Sequence, residues 1–531
     1  MATHEVLNQP PPLEGYNVVE TDRALVEGVK REGAEWALPQ IREVGALAGG
    51  QAQAWGFQAN RHPPELRTFD RYGHRIDEVE FHPAWHQLMG EAVSHALHSL
   101  PWREAKPGAY VARAAMGYAL SQAESGHGCP ITMTFAAVPA LRAQPEIAEE
   151  WIPRLISNQY DPRSMPASRK TGALCGMAMT EKQGGSDVRA NTTRARPLSP
   201  RTGPGAEYEL TGHKWFCSAP MSDAFLTLAQ TDTGLSCFLL PRWKPDGTRN
   251  GMRIMRLKDK LGNRSNASSE VEYDAAWARM VGEDGRGVKT IIEMVGHTRL
   301  DCVMGSAALM RQAVAQATHH AAYRSAFGRK LIEQPLMRNL LADLALEAEA
   351  AALFMLRLAR GYDEASQDPS RRAFVRVATA VGKYWVCKRS VAMMGEAIEC
   401  LGGAGYVEES ILPRLYREAP VNSIWEGSGN VICLDVLRAM SREPDCVPAL
   451  VEELRRVRGA DRHLDAFMDR LTQELSDPTD VEHRARILVE RIALALEGML
   501  MVQHAPAASS AAFIRSRIVG DHGPGFGTLP S

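Results

Sequence analysis

The stretch GALCGMAMTEKQGGSDV, residues 172–188, marks a change in the rhythm of the chain. It begins with a short apolar run and ends in paired glycines and small polar residues, as a strand followed by a tight turn would. Further short apolar runs follow between Gly- and Pro-rich separators: YELTGHKWFCSA, AFLTLAQT, LSCFLLP and SEVEYDAAW. Short strands at this spacing predict a compact antiparallel β-barrel or sandwich over residues 173–285.

Helical patterns flank this stretch on both sides. In the N-terminal segment 1–172, one apolar face recurs every four positions at Leu88, Ala92, Ala96 and Leu100, and Pro101 is expected to end that helix. On the other side, segments 287–324, 334–362 and 371–401 are long and free of internal proline, which predicts a helical bundle over 286–440. The predicted fold class is therefore mainly α with an inserted antiparallel β-barrel.

A further helical segment is predicted after the break SREPDCVP. Apolar residues recur at helical spacing in two groups: Leu464, Phe467 and Leu471, then Ile487, Ile492 and Leu496. These groups predict an appended C-terminal helical domain over 441–531. Its last residues, HGPGFGTLPS, are rich in glycine and proline and are expected to form a loose tail.

Composition excludes several classes of protein. The chain has 531 residues, with 61 basic against 63 acidic side chains and a net charge of −2, so a wholly basic nucleic-acid binder is excluded but a local basic patch is not. Nine cysteines occur without a CxxC pair, which favours reduced thiols and a cytoplasmic location. No secretory signal and no run of about 18 apolar residues is present, so no membrane partner is expected.

No catalytic metal is predicted. His82 and His86 form the motif HPAWH, but no third ligand is nearby, and the adjacent His319 and His320 cannot share a helix face. The chain also lacks a GxSxG motif and a P-loop.

Two motifs of the predicted strand region suggest binding chemistry. In MTEKQGGSDV, 179–188, the paired glycines leave N–H groups open to an anion and Ser186 adds a hydroxyl, although this motif alone more often indicates an ordinary barrel turn. In GHKWFCSAP, 212–220, Trp215 offers one wall for a flat heterocycle and Ser218 a donor, although a lone tryptophan on a strand is commonly a core residue.

Two further motifs lie in the predicted bundle. In YRSAFGRKL, 323–331, Arg324 and Phe327 are spaced i, i+3 and are expected to share a helix face, where the arginine meets a diphosphate or is merely solvated. In ECLGGAGYVEES, 399–410, Gly402 and Gly403 either cap a helix or allow a ligand to approach the backbone.

The motif NSIWEGSGN, 422–430, carries one carboxylate, Glu426. Its neighbour Trp425 is apolar, and an apolar environment raises a carboxyl pKa toward the range of a general base. The Gly427–Gly429 stretch exposes amides that can polarise a carbonyl. A surface turn with an exposed glutamate is the alternative.

Taken together and in this order, the five motifs resemble those of the acyl-CoA dehydrogenase family of flavoproteins. The resemblance implies an acyl-CoA dehydrogenase-like fold, FAD as cofactor, an acyl-CoA thioester as substrate and oxidation at a CH–CH group. It implies Glu426 as the catalytic base. The residues it implies for FAD binding are Met179, Thr180, Gly185, Ser186, Trp215, Ser218, Arg324, Phe327, Glu399, Gly403, Trp425, Ser428 and Asn430.

Other segments narrow the resemblance to one branch of that family, associated with the bacterial response to DNA alkylation. They include VLNQPPPLEGYN, CPITMTFAA and LKDKLGNRSNAS, together with the extra C-terminal domain. This resemblance implies a homotetramer and contact with double-stranded DNA. Residues 441–531 hold 11 arginines against 14 carboxylates, so DNA contact must depend on a few arginines: Arg438, and Arg455, Arg458 and Arg462 on one expected helix face.

Two alternatives remain open. One is a metabolic acyl-CoA dehydrogenase whose C-terminal domain serves only oligomerisation. The other is a DNA-shielding protein in which the flavin is structural.

Overall fold

The structure is a computed structural model, and it describes residues 3–530. The chain divides into two compact units, each made of separate segments. The first unit takes the chain up to Gln51, Pro107–Gln122 and the chain from Arg299 onward, and the second takes Ala52–Lys106 and Ala123–Thr298. The division into four domains with boundaries at 172, 285 and 440 stays a prediction.

The N-terminal part is mainly helical, as expected, but it also contains a β-hairpin. Its elements in chain order are α1 (Arg23–Arg31), α2 (Leu38–Gly49), α3 (Gln51–Arg61), β1 (Glu65–Phe69), β2 (Arg75–Glu80), α4 (Pro83–Ser94), α5 (Leu100–Arg103), α6 (Ala109–Ser121), α7 (Gly128–Leu141) and α8 (Pro145–Leu155). β1 and β2 pair antiparallel. The Asp70 carboxylate fixes their turn, because it accepts from the amides of Tyr72 and His74 at 2.8 and 2.9 Å.

The expectation of one continuous helix from Leu88 to Leu100 is wrong. α4 ends at Ser94, and Ala96 adopts a left-handed φ of +57°, which breaks the helix. Pro101 does not end a helix but stands in the first turn of α5, where its missing N–H has no partner to lose. All four apolar residues of the pattern are nevertheless buried. The pattern therefore identified core residues correctly but not the element that carries them.

The predicted strand region forms one seven-stranded sheet in the second unit. Its strands are β3 (Cys175–Ala178), β4 (Arg194–Pro197), β5 (Glu207–Ser218), β6 (Ala224–Gln230), β7 (Leu235–Pro241), β8 (Met252–Leu257) and β9 (Ser268–Val281). Most neighbours pair antiparallel, but β6 runs parallel to β3 and to the first residue of β4. The sheet is therefore mixed, which corrects the antiparallel expectation, and its closure into a barrel stays a prediction.

The parallel pair has a topological reason. Along the chain, the antiparallel strands β4 and β5 come between β3 and β6, although β6 lies beside β3 in the sheet. Because β5 reverses the direction of β4, the chain enters β6 in the same direction as it entered β3. The strands β6 and β7 are buried along almost their whole length. Tyr208 and Phe238 pack edge to face inside the sheet, with ring centroids 5.2 Å apart.

Long helices follow the sheet. They and the short elements between them are α9 (Gly287–Tyr323), β10 (Ser325–Ala326), β11 (Arg329–Lys330), α10 (Pro335–Ala365), α11 (Pro369–Leu401), α12 (Gly403–Tyr406), α13 (Leu412–Asn422) and α14 (Gly429–Arg442). The three long segments predicted as helices agree with α9, α10 and α11 to within a few residues. Within the first unit, a buried ion pair of 2.6 Å between Arg113 and Asp301 joins α6 to α9.

The C-terminal segment is helical, as predicted. It forms α15 (Cys446–Leu454), α16 (Arg462–Ser476), α17 (Ala485–His504) and α18 (Ala507–Phe513). Leu464 and Leu471 are buried, whereas Ile487, expected in the core, is 48% exposed. Nowhere in residues 3–530 does a helix have both the length and the apolar character needed to cross a membrane.

The expectation of a loose C-terminal tail is wrong. The amide of Gly527 donates to Asp343 at 2.8 Å, and the amide of Leu529 donates to Asn339 at 3.0 Å. The guanidinium of Arg389 also lies 4.5 Å from the ring centroid of Phe526. These contacts fasten the tail to α10 and α11, because glycine-rich chain can lie flat against helices that offer polar side chains.

Candidate functional site

The predicted anion-binding turn lies in the second unit, directly after β3. Met179 and Thr180 are half-buried, and Gly185 and Ser186 are exposed. Gly184 adopts a φ of +133°, and a Cβ on Gly185 would lie 2.3 Å from Thr180 Oγ1. The turn therefore requires glycine at both positions, the first for its backbone conformation and the second for the close approach of Thr180.

A backbone hydrogen bond joins this turn to the strand that carries Trp215. The N–H of Trp215 donates to the carbonyl of Thr180 at 2.8 Å. Ser218 lies further along the same strand, and its hydroxyl is 3.3 Å from that of Ser268. The structure thus brings the two predicted motifs of the second unit together.

Cations surround the indole of Trp215. The Lys258 ammonium lies 3.4 Å from a ring centroid, and Lys182 and Arg256 lie 5.7 and 5.9 Å away. Lys258 is itself paired with Glu270 at 2.6 Å. A flat ligand that stacks on Trp215 must therefore use the surface that the ammonium of Lys258 leaves open.

A buried ion pair, which the sequence did not predict, supports both motifs. Lys214 Nζ lies 2.9 Å from Glu181 Oε1, and both side chains are fully buried. Burial raises the pKa of Glu181, but the charge of Lys214 and the amide of Thr192 outweigh burial and hold the pKa well below its usual range. The available signal was a charged residue within each motif, Glu181 in the first and Lys214 in the second.

The expected helical face of Arg324 and Phe327 is wrong. α9 ends at Tyr323, and β10 and β11 then form a hairpin whose turn residues, Phe327 and Gly328, have φ of +53° and +81°. Two consecutive left-handed residues are what a tight hairpin turn requires. Phe327 is 97% exposed, and Arg324 Nη1 donates to the carbonyl of Asn8 at 2.6 Å.

Glu399 and Gly403 lie at the end of α11. Glu399 is exposed, and its carbonyl accepts from the amide of Gly402, which has a φ of +60°. A Cβ placed on Gly402 or Gly403 would meet nothing within 4 Å. The space beside both glycines is therefore open in this chain, so the fold itself needs glycine only for the conformation of Gly402.

The predicted base, Glu426, occupies a strained turn in the first unit. Glu426 has a left-handed φ of +59°, and Gly427 follows with +112°. For a residue other than glycine, this conformation costs on the order of 1–3 kcal/mol. Arg299 Nε donates to the Glu426 carbonyl at 3.1 Å, and the Lys383 ammonium donates to the Gly427 carbonyl.

The two cations that hold this turn are both buried. Lys383 is 1% exposed, and Arg299 is 8% exposed and paired with Asp435 at 2.6 Å. Neither was predicted, because Arg299 lies 127 residues and Lys383 lies 44 residues from the carbonyl that each binds. The two cations therefore fix the backbone of the turn that carries Glu426.

The turn also holds an unsatisfied donor. The indole N–H of Trp425 is buried and has no hydrogen-bond partner in the described chain. A buried donor without a partner costs about 1–3 kcal/mol, so an acceptor on a bound ligand would relieve this cost. Ser428 and Asn430 lie just beyond and are exposed, and the Ser428 hydroxyl makes no capping bond to α14. These features fit a bound FAD.

The predicted DNA-binding arginines do not share a helix face. α15 ends at Leu454, so Arg455 stands in a short 3-10 turn, Arg458 follows in a loop and Arg462 begins α16. Arg458 is bound to Asp469 by two hydrogen bonds of 2.7 and 2.9 Å. Within residues 3–530, Arg438, Arg455 and Arg462 are exposed and have no carboxylate within ion-pair distance.

One cavity of about 260 Å³ lies in the first unit, and no predicted site residue lines it. Its polar wall includes Asp22, Tyr118 and Arg311. Asp22 accepts from the Tyr118 hydroxyl at 2.8 Å and is paired with Arg311 at 3.2 Å. These groups therefore satisfy one another.

The histidines considered as metal ligands have other contacts. The rings of His62 and His82 stack at 4.9 Å, and His86 Nδ1 lies 2.9 Å from the Tyr160 hydroxyl. The described residues contain no group of three or more His, Cys, Asp or Glu side chains arranged to hold a metal ion.

Comparisons with known proteins agree with this layout. Residues 8–162 match the AidB N-terminal domain of adaptive response proteins, 176–276 match the acyl-CoA dehydrogenase middle domain, and 285–441 match the acyl-CoA dehydrogenase C-terminal domain. The chain is 47% identical to AidB of Escherichia coli (strain K12) over 506 residues, which cover 95% of this chain and 92% of that protein. It is 31% identical to acyl-CoA dehydrogenase family member 11 of Caenorhabditis elegans, over 89% of this chain and 81% of that protein.

A solved structure shows the same fold. The crystal structure of Caenorhabditis elegans ACDH-11 in complex with C11-CoA aligns with a TM-score of 0.88 and 26% identity, and covers 98% of this chain and 94% of that one. The expected family, its FAD cofactor and its oxidoreductase class are thereby confirmed. The chain belongs to the acyl-CoA dehydrogenase family, whose members are FAD-dependent oxidoreductases that act on CH–CH groups.

Proposed function

We propose that this protein oxidises an acyl-CoA thioester to its α,β-unsaturated product, with Glu426 as the base. The observation that carries the proposal is the left-handed Glu426 turn, whose two carbonyls are held by the buried Arg299 and Lys383. A strained residue that external side chains hold in place is typical of a functional position. The complex of a structural relative with C11-CoA supports a thioester substrate.

In the proposed reaction, the Glu426 carboxylate takes the proton from the α-carbon of the thioester. The backbone N–H of Glu426 donates to the thioester carbonyl oxygen and stabilises the negative charge that develops there. FAD, when bound, supplies the acceptor for the hydride that leaves the β-carbon. The proton and the hydride together account for the two electrons and two hydrogens lost by the substrate.

We propose that two sets of side chains bind FAD. From the second unit these are Met179, Thr180, Gly185, Ser186, Trp215 and Ser218, and from the first Arg324, Phe327, Glu399, Gly403, Trp425, Ser428 and Asn430. The hydrogen bond between Trp215 and Thr180 supports the first set, and the unsatisfied indole N–H of Trp425 supports the second.

The test is anaerobic bleaching of the flavin absorbance by a panel of acyl-CoAs of increasing chain length. We expect the wild type to bleach with at least one thioester, and Glu426→Gln to bind FAD but to lose bleaching by at least a hundredfold. Glu452→Gln, an exposed carboxylate on α15, is the matched control and should behave as the wild type. A flavin that no thioester bleaches would favour the alternative in which the flavin is structural.

A second proposed function is contact with duplex DNA as part of the adaptive response to alkylation. The observation that favours it is the exposure of Arg438, Arg455 and Arg462, which have no carboxylate partner among the described residues. A guanidinium group without a carboxylate partner can replace a counterion on a phosphate. Arg458 is expected to contribute less, because Asp469 already binds it.

Salt-dependent binding to duplex DNA tests this second function. For the full-length variant with Arg438, Arg455 and Arg462 all changed to Gln, we expect the slope of log K against log salt to decrease by about 3, since each phosphate contact contributes about 0.9. Arg458→Gln should change the slope little. Equal slopes in the wild type and the triple variant would leave the metabolic alternative, in which the C-terminal segment serves only oligomerisation.

We also propose a homotetramer in the cytoplasm. Large apolar side chains are exposed around the helical elements, among them Phe327 at 97%, Leu336 at 85% and Tyr406 at 80%. Such exposure in a single chain is typical of a surface that another subunit covers.

The nine cysteines are all free thiols, and eight of them are buried, which supports a reducing compartment.

A further inference from the structure

We propose that Lys388 and Arg486, with Tyr384 and Asn430, form a binding site for an organic phosphate group in the first unit. Lys388 and Tyr384 lie on α11, Asn430 lies on α14 and Arg486 lies on α17. The proposal rests on the proposed function only in its choice of ligand, a nucleotide phosphate of FAD or of a CoA thioester.

Hydrogen bonds and close contacts bring these four side chains together. Arg486 Nε donates to the Tyr384 hydroxyl at 3.1 Å, and its Nη1 lies 3.4 Å from Asn430 Oδ1. The Lys388 ammonium lies 5.7 Å from the Tyr384 ring centroid. A Cβ on Gly429 would lie 3.3 Å from that ammonium, so the lysine lies directly against the start of α14.

The positive charge of this cluster is not compensated. Among residues 3–530, neither Lys388 nor Arg486 has a carboxylate within 4 Å. Burial lowers the pKa of Lys388, and the positive charge of Arg486 lowers it further. The hydrogen bond to Tyr384 and the charge of Glu490, one helical turn after Arg486, raise the pKa of Arg486, and burial raises the pKa of the Glu490 carboxyl. The cluster therefore gains by binding an anion.

The donor set fits a phosphate group. A guanidinium offers a planar fork to two oxygens, and an ammonium adds a point charge. Because the Tyr384 hydroxyl accepts from Arg486, its own proton is free to donate to a third oxygen. Ser428 and Asn430, both proposed to bind FAD, stand at the start of α14, so the cluster lies beside residues of the proposed cofactor site.

The location of Arg486 gives the C-terminal segment a role in this site. The match to the acyl-CoA dehydrogenase C-terminal domain ends at residue 441, whereas Arg486 lies on α17 beyond it. The appended segment thus supplies one of the two cations. We infer that it completes a phosphate site in addition to any contact with DNA.

The experiment uses the full-length chain and three probes. Inorganic pyrophosphate and FAD are titrated into the apoprotein, and CoA is titrated into the FAD-loaded protein, each for the wild type, Lys388→Gln, Arg486→Gln and Arg486→Lys. Arg491→Gln is the matched control on the same helix, since Glu474 already binds Arg491. Circular dichroism and thermal unfolding establish that each variant is folded.

We expect both glutamine variants to weaken pyrophosphate binding about tenfold, as the loss of a charged hydrogen bond predicts, and Arg486→Lys to retain part of it. A parallel loss of FAD affinity identifies the flavin as the source of the phosphate, and a loss confined to CoA identifies the thioester. These binding measurements do not depend on turnover, so they can succeed even if no thioester bleaches the flavin. Unchanged affinity for all three probes would overturn the proposal.

Discussion

Arg299 and Glu426 are 127 residues apart in the chain, yet Arg299 Nε donates to the main-chain carbonyl of Glu426 at 3.1 Å. The same guanidinium binds Asp435 at 2.6 Å through Nη1, and Asp435 also accepts two bonds from Arg376. Because the guanidinium is planar, its two bonds fix the direction of the Glu426 carbonyl relative to α14. The proposed base is thus positioned by side chains outside its own turn.

Arg299→Lys should impair the reaction without removing the cofactor. A lysine keeps the charge beside Asp435 but cannot bind Asp435 and the Glu426 carbonyl in two fixed directions. We expect the rate of flavin bleaching to fall by about 10- to 100-fold, since a displacement of about 1 Å costs that much, while FAD affinity stays within twofold. Rapid-scanning spectrophotometry at saturating thioester measures the rate. Arg417→Lys, whose partner is the exposed Glu408, is the control, and equal rates in both variants would contradict the positioning role.

The type of each long element could be predicted from the sequence, because an apolar pattern that extends over many residues indicates a helix or strand despite local exceptions. Local breaks were not predictable in the same way. The positions Leu88, Ala92, Ala96 and Leu100 are all buried, but the helix through them ends at Ser94, because tertiary packing places Ala96 in a left-handed conformation. The spacing of apolar residues therefore indicates which of them are buried, but not whether one continuous helix carries them all.

Some of the site residues could likewise be identified from the sequence, and others could not. Thr180 and Trp215 could be identified from the sequence as candidate site residues, since each stands in a recognisable motif of the strand region, and a backbone bond joins them in the structure. The supporting cations Arg299 and Lys383 could not, because no spacing rule links a helix interior to a turn far along the chain. The i, i+3 spacing of Arg324 and Phe327 predicts a helix, but Gly328 directly afterwards favours a turn, and the turn is what forms.

Breaking the buried pair of Glu181 and Lys214 is expected to destabilise the second unit. Removing one partner leaves a buried charge, so Glu181→Gln or Lys214→Met should each lower the free energy of unfolding by about 3–5 kcal/mol. The double variant Glu181→Gln with Lys214→Met should lose less than the sum of the two single variants. Chemical denaturation measures all of them, and strict additivity would show that the two charges do not act as a pair.

The same pair predicts a pH dependence. Because the pKa of Glu181 is lower in the folded than in the unfolded chain, its contribution is complete above the unfolded value of about 4.3 and is lost as the pH falls through the folded value. The wild type should therefore lose thermal stability as the pH is lowered below about 4. Glu181→Gln should show a shallower dependence in that range, and a dependence as steep as that of the wild type would show that other carboxyls cause it.

Glu497 should affect stability in the opposite direction. It is buried on α17 and accepts from the Trp385 indole at 3.0 Å, and burial, together with the negative charge of Glu347, raises its pKa well above the usual range. A raised pKa stabilises the folded chain at low pH, and that contribution is lost as the pH rises toward the folded value. Glu497→Gln should therefore raise the melting temperature at pH 8 and leave it nearly unchanged at pH 4. A variant less stable at pH 8 would show that the ionised carboxylate is needed by Arg389 and Arg517.

Phe327 should be essential for assembly and not for the fold of the single chain. Its ring is 97% exposed at the tip of the β10–β11 hairpin, whose φ angles are held by the turn itself and by the bonds of Asn8 to Ser325. Phe327→Asp places a charge on that tip, which costs nothing in water but opposes burial against another subunit. We expect light scattering to show tetramers for the wild type and smaller species for the variant, with unchanged circular dichroism.

Tyr72→Asp, at the exposed tip of the β1–β2 hairpin, is the control and should stay tetrameric. Tetramers in both variants would exclude the hairpin tip from the interface, because a buried carboxylate without a partner is too costly to be accommodated there.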